Sequence, residues 1–594
     1  MTMRTEVSSY GWPRRLLAGW GTMTLAIIWT HVLTGVLRPF GPMEAPLAAL
    51  PVTYLAAAIA LLAVATWSYR YSLLLVVGGA VLAGTALQIA MPGTWPASIA
   101  LVVAGAASSE VGYRICRRLP NALDTFFSGR RLLAFLWLVL ALSATVQIGR
   151  LSTYMTDPQF DWYLTTRHPF WAKHECLPAY MYAAELNQRG EENIYDAAHY
   201  PGLSPGAQPV TTLEGMTPED PYQYTPQFLM LPHLFFSLSD QYSTIRLVWF
   251  GLQATLFLAV ASSLAVWVGG RHGRLAALLL PVAVSAFPTL HALQFGQFHI
   301  TAIALAVAGM LAFETRRQAL GGALVAAAAL SKIFPGILLV VLASQRRWRE
   351  LAWSLGAIAA ITLVALAVLG TAPFMAFFDY HLPRLSNGDA FAFDEAWPEV
   401  AKLIIADNQG AYGFVEKLRA LGVPGLDKAI ASRVATLFGL LLVGATALFG
   451  RHQAALPRRL QAAGWLALLG LGSMTSNGAF GDYVPLTIIW MLTLLASRML
   501  DGWRVAVPLG LCWLFHYTLI GTAPLGDWFD PGIMIPLSAV ALLTMLGTYG
   551  WVVVAGVRLA RPSRQSNRAT PGARWRWGRQ LAERATAIRV MGRD

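Results

Sequence analysis

The chain has 594 residues, 56% of them hydrophobic and only 13% charged, with a mean hydropathy of +0.52. Soluble domains carry about 25% charged residues, so this composition excludes one large soluble core and indicates a polytopic membrane protein. The net charge of +13 belongs to arginines in loops and tail that face anionic headgroups; no nucleic-acid-binding fold pattern accompanies it, which argues against a nucleic-acid partner.

Apolar runs predict spans near 16–38, 47–66, 71–91, 97–113, 131–149, 244–268, 275–290 and 298–313. Further spans are predicted near 351–370, 432–450, 460–475, 483–497, 505–522 and 532–557. The expectation is an all-α polytopic membrane protein with about fourteen full spans. Arg14 and Arg15 precede the first run without a convincing cleavage site, so that run reads as a retained helix. Cys116, Cys176 and Cys512 offer neither a disulfide framework nor zinc-like spacing, and no metal or other cofactor is expected.

The stretch 319–344 departs from the pattern. Basic residues flank it on both sides, at Arg316 and Arg317 and at Arg346, Arg347 and Arg349. Positive charge marks the cytoplasmic side, so equal flanks require an even number of crossings. One crossing already needs roughly 20 residues. A re-entrant hairpin broken near Lys332 and Pro335 satisfies both conditions. With the N-terminus cytoplasmic, every strong basic cluster then falls on the inner side, together with the tail from Arg558. Two long loops, about 150–243 and 371–431, fall outside and hold 19 of the 31 acidic residues.

The candidate chemistry gathers on that outer side. Asp157 and Asp161 open the first loop, and Glu175 precedes a predicted amphipathic helix from Leu177 to Arg189. Tyr180, Ala183, Ala184 and Leu186 of that helix are expected on the membrane surface. Glu175 reads as a capping acid or as a general base, with Asp161 competing for the second role. Tyr222 and Tyr224 suit a sugar face or an interfacial aromatic belt. Gln297 and His299 border an apolar run, where a polar side chain either satisfies a structural bond or meets a ligand. Lys332 is a lysine at membrane depth, and such residues usually face a cavity or an anion. Asn408 and Gln409 read as turn formers or as partners for sugar hydroxyls. Asp482 is either a helix cap or part of the same cavity. No Gly-rich phosphate loop is present for a soluble nucleotide sugar.

These pieces resemble glycosyltransferase family 87, within the C superfamily of membrane glycosyltransferases. They are AAELNQRGEENIYD from Ala183, YQYTPQFLMLP from Tyr222, LQFGQFHITAIAL from Leu293, GGALVAAAALSKIFPGILLVVLASQRRWR from Gly321 and DNQGAYGFVEKL from Asp407. The resemblance spans roughly 131–500. It makes 1–130 additional N-terminal helices, 131–557 the glycosyltransferase membrane core, and 558–594 a basic cytoplasmic tail, read as disordered. It implies a polyprenyl-phosphate sugar donor, typically mannose, a lipid or glycan acceptor, an extracytoplasmic site in the cell membrane, and inversion without a metal. An acid in the first outer loop takes the acceptor proton; Glu175 stands nearest that register and Asp161 farther off. Lys332, His299 and Gln297 would meet the donor phosphate. Tyr222, Tyr224, Asn408, Gln409 and Asp482 would meet sugar or acceptor. Where the family often has a Trp-x-His-like element, this chain has Phe480, Gly481 and Asp482. The competing reading is a transporter or flippase of lipid-linked sugars. It predicts two related halves with broken helices in corresponding places, and the sequence shows one broken hairpin.

Overall fold

The computed structural model describes residues 12–37, 69–90, 95–118, 131–156, 176–481, 483–517 and 531–560. Its elements are helical, and among the described residues the only bridges are the isolated pairs Glu214 with Gln241 and Asn408 with Phe480. Helices α1 (Trp12–Leu37), α2 (Tyr69–Ala90), α3 (Trp95–Arg118) and α4 (Arg131–Thr156) come first. They are followed by α5 (Cys176–Gln188), α6 (Met230–Phe236) and α7 (Tyr242–Val268). Then come α8 (Gly270–Leu278), α9 (Leu280–Ser285), α10 (Phe287–Gln294), α11 (His299–Glu314), α12 (Gln318–Ser331), α13 (Ile337–Ser344) and α14 (Trp348–Leu369). The last group is α15 (Ala401–Asp407), α16 (Ala411–Ala420), α17 (Lys428–Gln453), α18 (Arg458–Ser473), α19 (Leu486–Leu495), α20 (Trp503–Tyr517) and α21 (Pro531–Ala560).

Six described helices are long and apolar enough to cross a membrane: 14–37, 132–156, 242–268, 348–369, 428–453 and 532–559. Counting the bent pair α10–α11 as one span makes seven. The predicted spans at 71–91, 97–113 and 483–497 appear as the shorter apolar helices 77–89, 97–111 and 486–499, and the one at 47–66 lies outside the described residues, as does almost all of the predicted tail. Lipid is the natural environment of the outer faces. Leu355, Leu363, Val364 and Val368 of α14, and Leu132, Phe135, Leu136 and Val139 of α4, are exposed; apolar area this extensive is rare on soluble monomers. The main core lies between α1, α4, α7, the α8–α11 run, α18 and α19. Helices α18 and α19 are buried along most of their length, as helices apolar on every face should be.

The predicted single helix 275–290 is divided, because Pro281 and Pro288 each start a new short helix. Proline lacks the N–H that would continue the preceding turn. The chain then turns through 111° between α10 and α11. Gly296 makes the turn at φ +64°, a region that side chains with a Cβ rarely adopt. A Cβ there would lie 2.8 Å from Leu177 Cβ. Gly296 O also accepts from Trp249 Nε1 at 2.9 Å. Gly296→Ala should therefore lower stability by about 1–3 kcal/mol, read as a fall in Tm in detergent.

The helix predicted at 177–189 is present as α5, with Pro178 in its first turn and Gly190 past its end at φ +82°. Its location differs from the expectation. Tyr180, Ala183, Ala184 and Leu186 are 0–2% exposed, so this helix is packed inside protein and not laid on a surface. Residues Leu177 to Leu186 are apolar except for Glu185, and all are buried. Glu185 is compensated by Arg189 at 2.6 Å, Thr211 Oγ1 at 2.8 Å and the Thr212 N–H at 2.5 Å. Those threonine contacts fasten the covering loop over the helix.

At Lys332 the backbone leaves the helix (φ −136°, ψ 130°). One 3-10 turn, Phe334–Gly336, carries Pro335 and leads into α13. Arg347, just past α13, pairs with Glu314 at the end of α11 at 2.7 Å and with Glu350 at 3.3 Å. Gly322, early in α12, packs on Trp353, early in α14.

Candidate active site

A cavity of about 460 Å³ is bounded by the start of α5, the 220–225 segment, the α10–α11 turn, the Lys332 break, α17 and the 472–483 segment. Apart from the unbroken α17, which contributes Ala435, Thr436 and Gly439, these walls stand at helix ends and breaks. Loops bring polar backbone and side chains inward where unbroken helices would present only apolar faces.

Lys332 lies on the wall. Its Nζ is 4.9 Å from the ring centroids of both Tyr224 and Tyr483. Two aromatic faces hold an ammonium through their quadrupoles. Among the described residues no carboxylate is within ion-pairing distance of it. His299 is 1% exposed and its ring is 4.8 Å from those of Phe334 and Tyr483. Both ring nitrogens are buried without a hydrogen-bond partner. A buried polar group usually has one, and this ring lines the cavity, so its N–H is available to a bound group.

Gln297 also lines the cavity, but its amide is engaged. Its Oε1 accepts from Tyr180 Oη at 3.0 Å and from Tyr224 Oη, while its Nε2 points to Cys176 Sγ at 3.2 Å. Burial pushes the phenols of Tyr180, Tyr222 and Tyr224 well above their usual range, so they remain protonated near neutrality. Gln297 thus fixes the Tyr224 ring beneath Lys332. Tyr222 does not line the cavity. It is 1% exposed, packs 5.4 Å from Tyr195, and donates to Thr225 O at 2.9 Å.

Asn408 and Gln409 lie behind the wall. Asn408 Nδ2 donates to Asn477 O at 2.6 Å, its Oδ1 accepts from the Gly410 N–H at 3.0 Å, and Gln409 N donates to Ala479 O at 2.5 Å. They hold the 477–480 strip, and that strip lines the cavity. Lys417, which sequence reading did not single out, donates to Asn408 O from a fully buried position. Burial pushes its ammonium down to about 7, against the attraction of Asp407.

Glu175, Asp157, Asp161 and Asp482 lie outside the described residues. Cys176, which follows Glu175, and Tyr483, which follows Asp482, line the cavity. Asp220 was also missed from sequence. It is 7% exposed and is the one carboxylate bordering the cavity among the described residues. The available signal was its place two residues before Tyr222, in PEDPYQYTP.

Fold and cavity together define an all-helical, multi-pass membrane protein with a cation-bearing polar cavity. Residues 222–474 match the family model Glycosyltransferase family 87. The match includes Tyr222, Tyr224, Gln297, His299, Lys332, Asn408 and Gln409, and supports a transferase role in general. No curated protein and no solved structure matches the chain.

Proposed function

We propose that the protein transfers a hexose, most simply mannose, from a polyprenyl-phosphate sugar to a lipid or glycan acceptor. The reaction takes place on the extracytoplasmic face of the cell membrane, with both termini cytoplasmic. The observation that carries this reading is Lys332, an ammonium on a membrane-embedded cavity wall with no carboxylate beside it among the described residues. An uncompensated cation in that setting suits an anionic ligand. A phosphate attached to a hydrocarbon chain reaches it from the bilayer.

The chemistry is a single displacement. The acceptor hydroxyl oxygen attacks the anomeric carbon as a carboxylate takes its proton. The bond from that carbon to the phosphate oxygen breaks on the opposite face, so the configuration inverts. The electron pair leaves with the polyprenyl phosphate. Lys332 stabilises the charge that develops there, and His299 donates a hydrogen bond to the same group. Tyr224 and the 477–480 strip border sugar and acceptor, and Asn408, Gln409 and Tyr222 act on them from behind. Glu175 and Asp161 are the candidate bases of the first outer loop, and Asp482, the residue before Tyr483 in the chain, is a further candidate for sugar or acceptor contact.

We read the whole chain as about fourteen spans with a re-entrant hairpin at 319–344, the additional helices 1–130 preceding the core. The Glu314–Arg347 ion pair supports the hairpin, because it joins the residues that enter and leave the segment. Single cysteines at Gln318 and Gln345 should then both react with a membrane-impermeant thiol reagent from the same side. Labelling from opposite sides would rule the hairpin out.

The direct test of function uses purified protein in detergent, labelled polyprenyl-phosphate mannose and membrane lipid extract. Labelled product is expected. No product with any of a panel of lipid-linked sugars, together with flipping of one of them in liposomes, would replace the enzyme by a transporter.

A further inference from the structure

A second feature lies at the other end of α7. Trp249 borders the aromatic packing around Tyr180 and Phe298. Trp267 lies roughly 27 Å farther along the helix at 1.5 Å per residue. Near it three helix junctions, at 269–274, 451–459 and 496–504, carry Arg271, Arg274, Arg451, Arg458, Arg459, Arg498 and Arg504 against one acid, Asp501.

The cations crowd together. Arg459 Nη1 lies 2.9 Å from His272 Nδ1 and 2.7 Å from His272 Nε2. Arg271 donates to Ser497 O at 3.2 Å, and His272 bonds Ser497 Oγ. Arg458 donates to Trp267 O at 3.2 Å and lies over that ring at 5.5 Å. Asp501 is engaged by Arg498 at 2.9 Å. Arg459 Nε is buried without a partner. The other basic junction behaves differently: there Arg347 is paired with both Glu314 and Glu350. Guanidinium groups do not deprotonate in proteins. A junction of this kind keeps its positive charge, and its own side chains do not balance it.

We propose that this junction binds a phosphate group, held between Arg271 and His272 of α8 and Arg458 and Arg459 of α18, with Arg498 at the rim. Arginine forks match the geometry of phosphate oxygens. Burial, followed by the charges of Arg459 and Arg271, holds His272 below its usual range; an anion between these groups relieves that repulsion and lets the ring donate. A phospholipid headgroup and free phosphate share this chemistry. Trp267, under Arg458, stacks in turn on the buried Trp465 with ring centroids 5.2 Å apart, which anchors this end of α7 to the core.

The test uses the full chain in neutral detergent, titrated separately with short-chain phosphatidylglycerol, short-chain phosphatidylcholine and inorganic phosphate, with Tm as readout. Phosphatidylglycerol should raise Tm. The Arg271→Gln/Arg459→Gln pair should weaken that response at least tenfold, and Arg459→Lys should weaken it less. Arg316→Gln/Arg317→Gln, at the other basic junction, should leave it unchanged. An equal response to inorganic phosphate with the same sensitivity would keep the site and make free phosphate its ligand. No response, an equal response to phosphatidylcholine, or one that survives the Arg271/Arg459 substitutions would overturn the proposal. The readout is binding, so its outcome is independent of whether hexose transfer is observed.

Discussion

Lys332→Ala should lower kcat for hexose transfer by about 10²–10³-fold, the scale seen when one stabiliser of developing charge is removed. The protein should still reach the membrane and unfold at a similar temperature. Lys332 rests between the Tyr224 and Tyr483 rings and has no carboxylate partner among the described residues, so its removal leaves none of the described carboxylates without a partner. Truncation also relieves the cost of holding a charge at membrane depth. Loss of function should therefore be separable from loss of fold. Charge on the leaving phosphate grows as its bond breaks, so kcat should fall more than KM rises. Lys332→Arg should retain part of the rate, because it keeps the charge while changing its reach and shape. An alanine variant with unchanged kcat would remove Lys332 from the phosphate site.

Much of the cavity was legible where the residue type itself was costly. A lysine and a proline inside an apolar run mark a break, and the structure leaves the helix at Lys332. Gln297, His299 and Tyr224 were likewise polar or amphipathic positions beside apolar runs, and all border one cavity with Lys332. The sequence could not rank the two tyrosines. The segment is irregular and not a regular strand, so residues two apart need not share a face, and here the ring of Tyr224 reaches the cavity while that of Tyr222 packs against Tyr195. Asn408 and Gln409 carry the groups a sugar site uses, but those groups serve equally well to close a turn. The Asn408 amide donates to the main chain of Asn477, and the main-chain N–H of Gln409 donates to that of Ala479, some 70 residues on. Burial of α5 was readable in principle, since its apolar residues occupy every face of the helix. Pro281 and Pro288 likewise mark the division of the predicted 275–290 helix. The 111° turn that follows depends on Gly296, whose φ of +64° the sequence permits but does not require.

The second large effect concerns the base. One carboxylate among Glu175, Asp161 and Asp220 should lose about 10²–10⁴-fold in kcat on conversion to its amide, the range for general-base catalysis; the other two amides should cost far less. Glu175 immediately precedes Cys176, the first residue of α5 and part of the cavity wall. A base there would enter from the α5 end. Asp220 borders the cavity itself, next to the loop that carries Tyr224. Asp161 keeps its claim through the first outer loop alone. Rate alone does not distinguish a base from a residue that only positions the acceptor, but the pH profile does. A base works ionised, so the wild-type rate should fall as pH drops through its pKa, and the true base's amide variant should lose that acid limb. A positioning variant should keep the limb at a lower plateau. The alkaline limb has the opposite origin, since Lys332 must stay protonated to meet the leaving phosphate, and it should persist in all three amides. If Glu175→Gln, Asp161→Asn and Asp220→Asn all kept full activity and an intact acid limb, none of the three would be the base, and Asp482 beside Tyr483 would be next to test.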